Sequence, residues 1–322
     1  MATTEEILRS LAAIPNLQIA EHAALSGYTR FGIGGPADAV VETTAAESFA
    51  SALQAVRASK IPFVVIGGGS NLIVADEGFR GIVLKFGGHR IRIEGTLAIA
   101  EGGAVLQDLV DATIAAGLSG IHTMTGIPGS VGAAVYGNAG AYGHSISEWT
   151  RRVCFFDGET EREFDNTACE FHYRESVFKK HKDWIVLSVE LTLQRADAAE
   201  LKVKADGILA IRNEKYPPTM KCAGSIFKNY LLAELPEAVA QALPENVIRE
   251  GKVPSAYFLE QVGAKGMKVG DIHVADYHAN LIYNAGHGTA RELVTMIREL
   301  KRRIEERFGI PLEEEVQYVG QL

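Results

Sequence analysis

The stretch VIGGGSNLIV, Val65 to Val74, sets three consecutive glycines between two runs of β-branched and apolar residues. Ahead of it, ADAVVE (37–42) reads as a strand. A helix then runs from about Ala45 to Ser59, with Phe49, Leu53 and Val56 at helical spacing and Thr44 with Glu47 as its capping box. IPFVVI is a buried strand that completes a β-α-β unit. A dinucleotide fingerprint of the G-x-G-x-x-G kind has to open a helix directly after such a strand. Counted from Gly67, the last glycine position holds Leu72, and NLIV, ADEGFRG and IVLKF go on as strand, turn and strand. The Rossmann reading fails here, so the loop needs another reason to carry so little side chain.

A second segment begins near residue 89 with IRIEG and LAIAEG, followed by a helix over Ala104–Ala116 that puts Leu106, Leu109, Val110 and Ile114 on one face and ends at Gly117. RVCFFDG and DWIVLSVELTL add strands, and a helix from about Ala199 to Lys215 stops at YPPT. Beyond it come turns, short apolar runs and a final helix, Ala290 to Phe308, opened by Thr289 with Glu292 and closed by Gly309. The expected division is an N-terminal helix with a first α+β subdomain over 1–88, a second α+β subdomain over 89–204, and a separate domain over 205–322.

The 322 residues are enough for two or three domains, and the net charge of −8 gives no field for a nucleic-acid backbone or an anionic membrane. Cys154, Cys169 and Cys222 stand far apart, which fits neither a disulfide framework nor a zinc site. Glu5 and Glu6 occupy the place where a signal peptide is basic, Pro15 and Asn16 break its apolar stretch, and no apolar run reaches the ~18 residues of a membrane span. A cytoplasmic protein is expected. The nine histidines never take H-E-x-x-H spacing, so no metal is expected.

A second small-residue run, GIPGSVGAAVYGNAGAYG, spans Gly126 to Gly143. One reading of it, the weaker, is a turn packed tightly against another backbone. Two such loops flanked by apolar strands also bring many backbone N–H groups within reach of a diphosphate without basic side chains. Together they imply a bound dinucleotide.

With these motifs in view, the chain resembles the UDP-N-acetylenolpyruvoylglucosamine reductases, FAD enzymes of peptidoglycan precursor synthesis. The resemblance rests on YTRFGIGGPADAVV, PFVVIGGGSNLIVADEGFRGIVLKF and GIPGSVGAAVYGNAGAYG, and then, in the same order as in the family, on FHYRESVFK, AGSIFKN, HANLIYN and LEEEV. It implies a vanillyl-alcohol-oxidase-type, PCMH-type FAD-binding domain of two α+β subdomains, with a C-terminal α+β substrate domain. It also implies non-covalent FAD, NADPH as co-substrate, a UDP-sugar enolpyruvyl ether as substrate, and a monomer. The short interval from Arg174 to Ser225 is similar to the subtype that lacks an extra tyrosine-bearing loop.

By the same resemblance, Gly67, Gly68, Gly69, Ser70, Asn71 and Leu72 wrap the FAD diphosphate, Gly126, Ile127, Gly129, Ser130, Gly132 and Ala133 line diphosphate and flavin, and Arg30 helps seat the cofactor. Arg174 matches the arginine that holds the substrate carboxylate, although an arginine beside Glu175 is by itself an ordinary surface ion pair. Ser225 matches the serine that protonates C2, with Lys228 as a candidate neighbouring charge, although a serine after glycine is by itself a turn residue. Glu315 matches the glutamate that works with Arg174 around the developing enol, and alternation puts Glu313 and Glu315 on one side of their strand and Glu314 on the other. Tyr173, Lys215, Asn229 and Gln261 match positions near the UDP-sugar, while Tyr230 departs from the family's usual proline. Two rivals remain open. One is an oxidase of the same fold with flavin tethered through His89 or His122, and the other is a non-catalytic nucleotide-binding relative.

Overall fold

The computed structural model describes residues 3–322 and resolves them into two compact units. The first contains residues up to Ala23, then Ala37–Gly69 and Arg80–Glu214. It has two hydrophobic cores. In one, a four-stranded sheet runs in the order Gln18–Glu21, Ala37–Thr43, Phe79–Phe86, Phe63–Ile66, the last two strands pairing in parallel. Helix Ala46–Ser59 buries Phe49, Leu53 and Val56 there, as its spacing predicts. In the other, a five-stranded antiparallel sheet runs Glu161–Asp165, Thr150–Phe156, Ile185–Thr192, Leu97–Glu101, Ile91–Glu94, covered by helices Leu106–Ala115 and Val131–Tyr136.

The second unit is assembled from Ala24–Pro36, Ser70–Phe79 and Lys215–Leu322. Its antiparallel sheet runs Lys221–Ser225, His278–Asn284, Ile272–Ala275, Lys268–Val269. Helix Ala290–Phe308 packs Leu293, Ile297, Leu300 and Ile304 into the same core as Phe31, Ile33 and Ile73. Thr289 and Glu292 form its reciprocal cap and Gly309 its left-handed stop, both as expected.

Three sequence expectations are corrected. Thr44 and Glu47 do not cap helix Ala46–Ser59. Its N-cap is Ala45, whose own amide donates to Thr43 Oγ1 at 3.1 Å. NLIV does form a strand, Leu72–Val74, but it pairs in parallel with Gln317–Val319, so residues 70–79, expected within the first subdomain, belong with the C-terminal unit. The boundary expected at 204 falls inside helix Ala198–Lys215, which buries Leu201 and Ala205 in the second core of the first unit, and the break comes after Glu214. The cause of the last two is long-range strand pairing and packing, to which composition along the chain is blind, whereas the cap is decided locally by Thr43.

Candidate active site

In the first unit the two glycine loops meet. A Cβ on Gly67 would come within 2.9 Å of Ser130 Oγ and 3.5 Å of the Ala133 methyl, and one on Gly68 within 3.2 Å of Gly129 Cα. Small residues here let one backbone lie on another. Among the described residues, the amides of Gly67, Gly68, Gly69, Gly129 and Ser130 donate to no backbone carbonyl outside regular secondary structure. That remainder of main-chain donors on touching loops is what an anionic diphosphate requires, so this cradle fits the FAD that the motifs imply.

Other members of the predicted set are already committed. Gly126 N–H donates to Gln107 Oε1 at 2.7 Å and Ile127 N–H to Met124 O at 3.0 Å. Gly132 N–H donates to Gly102 O at 2.7 Å, and Ala133 N–H to Ser130 Oγ at 3.3 Å. These four shape the loop rather than offer it donors. Past Gly69 the chain enters the second unit, where Ser70 leads into Asn71 and Leu72 begins its strand. Asn71 Nδ2 donates to Glu315 O at 2.8 Å, and Gln317 N–H to Asn71 O at 2.9 Å, so Asn71 ties down the segment that carries the predicted glutamate, just ahead of strand Gln317–Val319. Arg30 also belongs to the second unit, within Ala24–Pro36.

Arg174 sits in the first unit on a tight turn closed by reciprocal amide–carbonyl bonds between His172 and Glu175, 3.0 and 3.1 Å. Its φ of +58° is a conformation that side chains rarely adopt. The guanidinium donates to Gly140 O at 3.2 Å and lies 5.5 Å from the Tyr173 ring centre. Glu175 takes Lys179 as an ion-pair partner at 3.3 Å. His122 Nδ1 accepts the Gly120 amide at 3.3 Å, and burial, with the Lys204 and His144 charges behind it, lowers its pKa. His89 Nδ1 is 3.2 Å from Gly87 O.

Ser225 sits in the second unit at the end of strand Lys221–Ser225, where the register against His278–Asn284 shifts between Cys222 and Ser225. Gly224 makes that shift with φ +78°, and a bulge of this kind re-aims the side chain that follows it. The backbone beyond is clamped by Asn280, which is 2% exposed. Its Oδ1 accepts Phe227 N–H at 2.9 Å, and its Nδ2 donates to Phe227 O at 2.8 Å and Ser255 Oγ at 2.7 Å. Ser225 Oγ lies 3.2 Å from Tyr216 Oη.

The three glutamates pair with the segment after the serine, Glu315 N–H donating to Ile226 O at 2.8 Å and Lys228 N–H to Glu313 O at 2.9 Å. Lys228 forms an ion pair with Glu313, and Glu314 takes Lys301 at 2.9 and 3.0 Å. Asn229 Oδ1 accepts the Ser255 amide at 3.3 Å, so the asparagine also orients helix Ser255–Gln261. At that helix's far end Arg307 donates to Gln261 O. Lys215 places Nζ 5.1 Å from the Tyr216 ring centre, and its carbonyl accepts Tyr277 Oη at 2.9 Å. Gln107, Tyr216 and Asn280 escape a reading of the sequence. HANLIYN draws attention to the region of Asn280, but nothing local shows that its carboxamide turns toward residue 227.

Residues 37–156 match the FAD binding domain family, and residues 216–319 match the C-terminal domain of UDP-N-acetylenolpyruvoylglucosamine reductase. The protein of that name from Solibacter usitatus is 61% identical over 310 residues, 96% of this chain and 99% of the relative. The chain belongs to the UDP-N-acetylenolpyruvoylglucosamine reductase family. Its Bacillus subtilis relative is 31% identical over 320 residues, 98% of this chain and 99% of the relative. The crystal structure of the Thermus caldophilus reductase superposes with a TM-score of 0.74 at 27% identity, covering 94% of this chain and 100% of that one. The mixed α+β class and the FAD-binding domain joined to a C-terminal reductase domain agree with the fold expected from the motifs. The FAD-domain match contains both glycine loops, and the C-terminal match contains Ser225, Asn229, Gln261 and Glu315 but stops one residue short of Lys215.

Proposed function

We infer that the protein is an FAD-dependent UDP-N-acetylenolpyruvoylglucosamine reductase, which uses NADPH to convert UDP-N-acetylglucosamine enolpyruvate into UDP-N-acetylmuramate for peptidoglycan precursor synthesis. The observation that carries this is 61% identity to a protein of that name across 96% of the chain. The cradle at Gly67–Gly69 and Gly129–Ser130 supports it, since its amides suit a diphosphate and the loops leave no room there for basic side chains. When bound, FAD supplies a hydride acceptor for NADPH and a hydride donor for C3 of the enolpyruvyl group.

The chain's own residues hold the substrate and move the proton. Arg174 neutralises the carboxylate, favouring the enolate-like charge that develops as C3 is reduced. Ser225 gives its hydroxyl proton to C2, from the bend that Gly224 and Asn280 define. Glu315 polarises the same enolate, on a segment held by Asn71. Lys215, Asn229, Gln261 and Tyr173 contact the UDP-sugar. Among the described residues no helix is long and apolar enough to cross a membrane. The use of NADPH favours a cytoplasmic setting, and the family resemblance favours a monomer.

The test is anaerobic. NADPH should bleach the flavin, and the enolpyruvyl UDP-sugar should restore the oxidised spectrum. Bleaching without restoration would sink the assignment.

A further inference from the structure

We propose that Tyr216 is the positioning residue and proton reservoir for Ser225 in the protonation of C2, an inference that rests on the reductase activity proposed above. A serine hydroxyl that protonates a carbanion is left as an alkoxide, which is a poor species to strand in a half-buried bend. Something must aim the hydroxyl beforehand and return a proton afterwards. Lys228, the neighbouring charge the sequence offers, forms an ion pair with Glu313. The side chain of Ser225 meets that of Tyr216, whose Oη stands 3.2 Å from its Oγ.

Local sequence explains how the phenol reaches that spot. Helix Ala198–Lys215 ends immediately before Tyr216, and Pro217 confines the residue before it to extended backbone. Met220 N–H then bonds Pro217 O at 2.9 Å, turning the chain back into strand Lys221–Ser225. Nine residues after the tyrosine, the bulge at Gly224 presents the serine to it. The Tyr216 ring is held from outside, with Lys215 Nζ 5.1 Å and the His278 ring 6.4 Å from its centre.

The proton balance closes. Ser225 Oγ–H breaks as the C2–H bond forms, the Tyr216 phenol proton passes to Oγ, and the phenolate regains a proton from water. No electrons move in these steps. A phenol is more acidic than an alkyl alcohol, so the second transfer runs downhill from the alkoxide.

Tyr216→Phe removes one oxygen and keeps the ring. The expected result has three parts: flavin reduction by NADPH at the wild-type rate, unchanged affinity of the oxidised protein for the enolpyruvyl UDP-sugar in an equilibrium titration, and reoxidation slowed by about 10²-fold with a larger solvent deuterium isotope effect. Reoxidation at the wild-type rate would overturn the proposal. So would a slowing matched by an equal loss of sugar affinity, because that marks a role in packing alone. If wild-type protein itself is not reoxidised by the sugar, the reductase activity fails and takes the relay with it.

Discussion

At Gly67 and Gly68 the chain keeps side chains out, whereas at Ser225 it aims one in. The first arrangement works through closeness, with two backbones touching so tightly that a single methyl would meet Gly129 or Ser130, and with amides left to face an anion. The second works through direction. Gly224 bends the strand, Asn280 fixes Phe227 with two side-chain hydrogen bonds and is itself held by a third to Ser255, and Tyr216 meets the hydroxyl. A main-chain site is therefore sensitive to any added bulk and indifferent to side-chain chemistry. A side-chain site is sensitive to the loss of single polar atoms, including atoms far from it in sequence.

Removing the aimed group itself should give the largest effect. Ser225→Ala should leave reduction of the flavin by NADPH unchanged while slowing reoxidation by the enolpyruvyl sugar about 10²–10⁴-fold, as followed by anaerobic stopped-flow absorbance. Equal loss in both half-reactions would erase the contrast between the two regions.

Asn280→Ala comes next. It strands the Phe227 amide and carbonyl in a buried place and should cost roughly 3 kcal/mol in urea unfolding. A cost below about 1 kcal/mol would show that the bend stands without its clamp.

Gly68→Val probes the other region. With a Cβ only 3.2 Å from Gly129 Cα, the branched side chain should wedge the loops apart and weaken FAD binding by about 10–100-fold in a fluorescence titration. Undiminished FAD affinity would mean the loops meet for packing alone.

The smallest effect concerns acid. Burial first, and the Lys215 charge second, bring His278 down from 6.5 to about 4. Since the folded value lies below the unfolded one, the contribution of the neutral ring is whole above pH 6.5 and is lost as pH falls toward about 4. The slope in that window is at most about 1.4 kcal/mol per pH unit, and His278→Gln should flatten it in urea midpoints measured across the window. An unchanged slope would assign the acid sensitivity to other groups, such as the half-buried His122.

Much of the fold is legible in the amino-acid sequence. Helical spacing at Phe49, Leu53 and Val56, and the cap pair Thr289 and Glu292, are local signals that the folded chain obeys. The absence of a helix after Gly69, which rules out a Rossmann loop, is local in the same way. The placement of residues 70–79 is not, since Leu72–Val74 finds its partner at Gln317–Val319, far along the chain.

The sequence by itself determined the elements, the two bare loops and the family motifs, because hydrophobic period, capping chemistry and glycine runs act over a few residues. Tertiary structure alone decided which amides remain available, that Asn71 holds the Glu315 segment, and that Tyr216 faces Ser225. The physical reason is that a hydrogen bond between distant segments depends on register and bulges, and a shift of one residue turns each side chain to the opposite face.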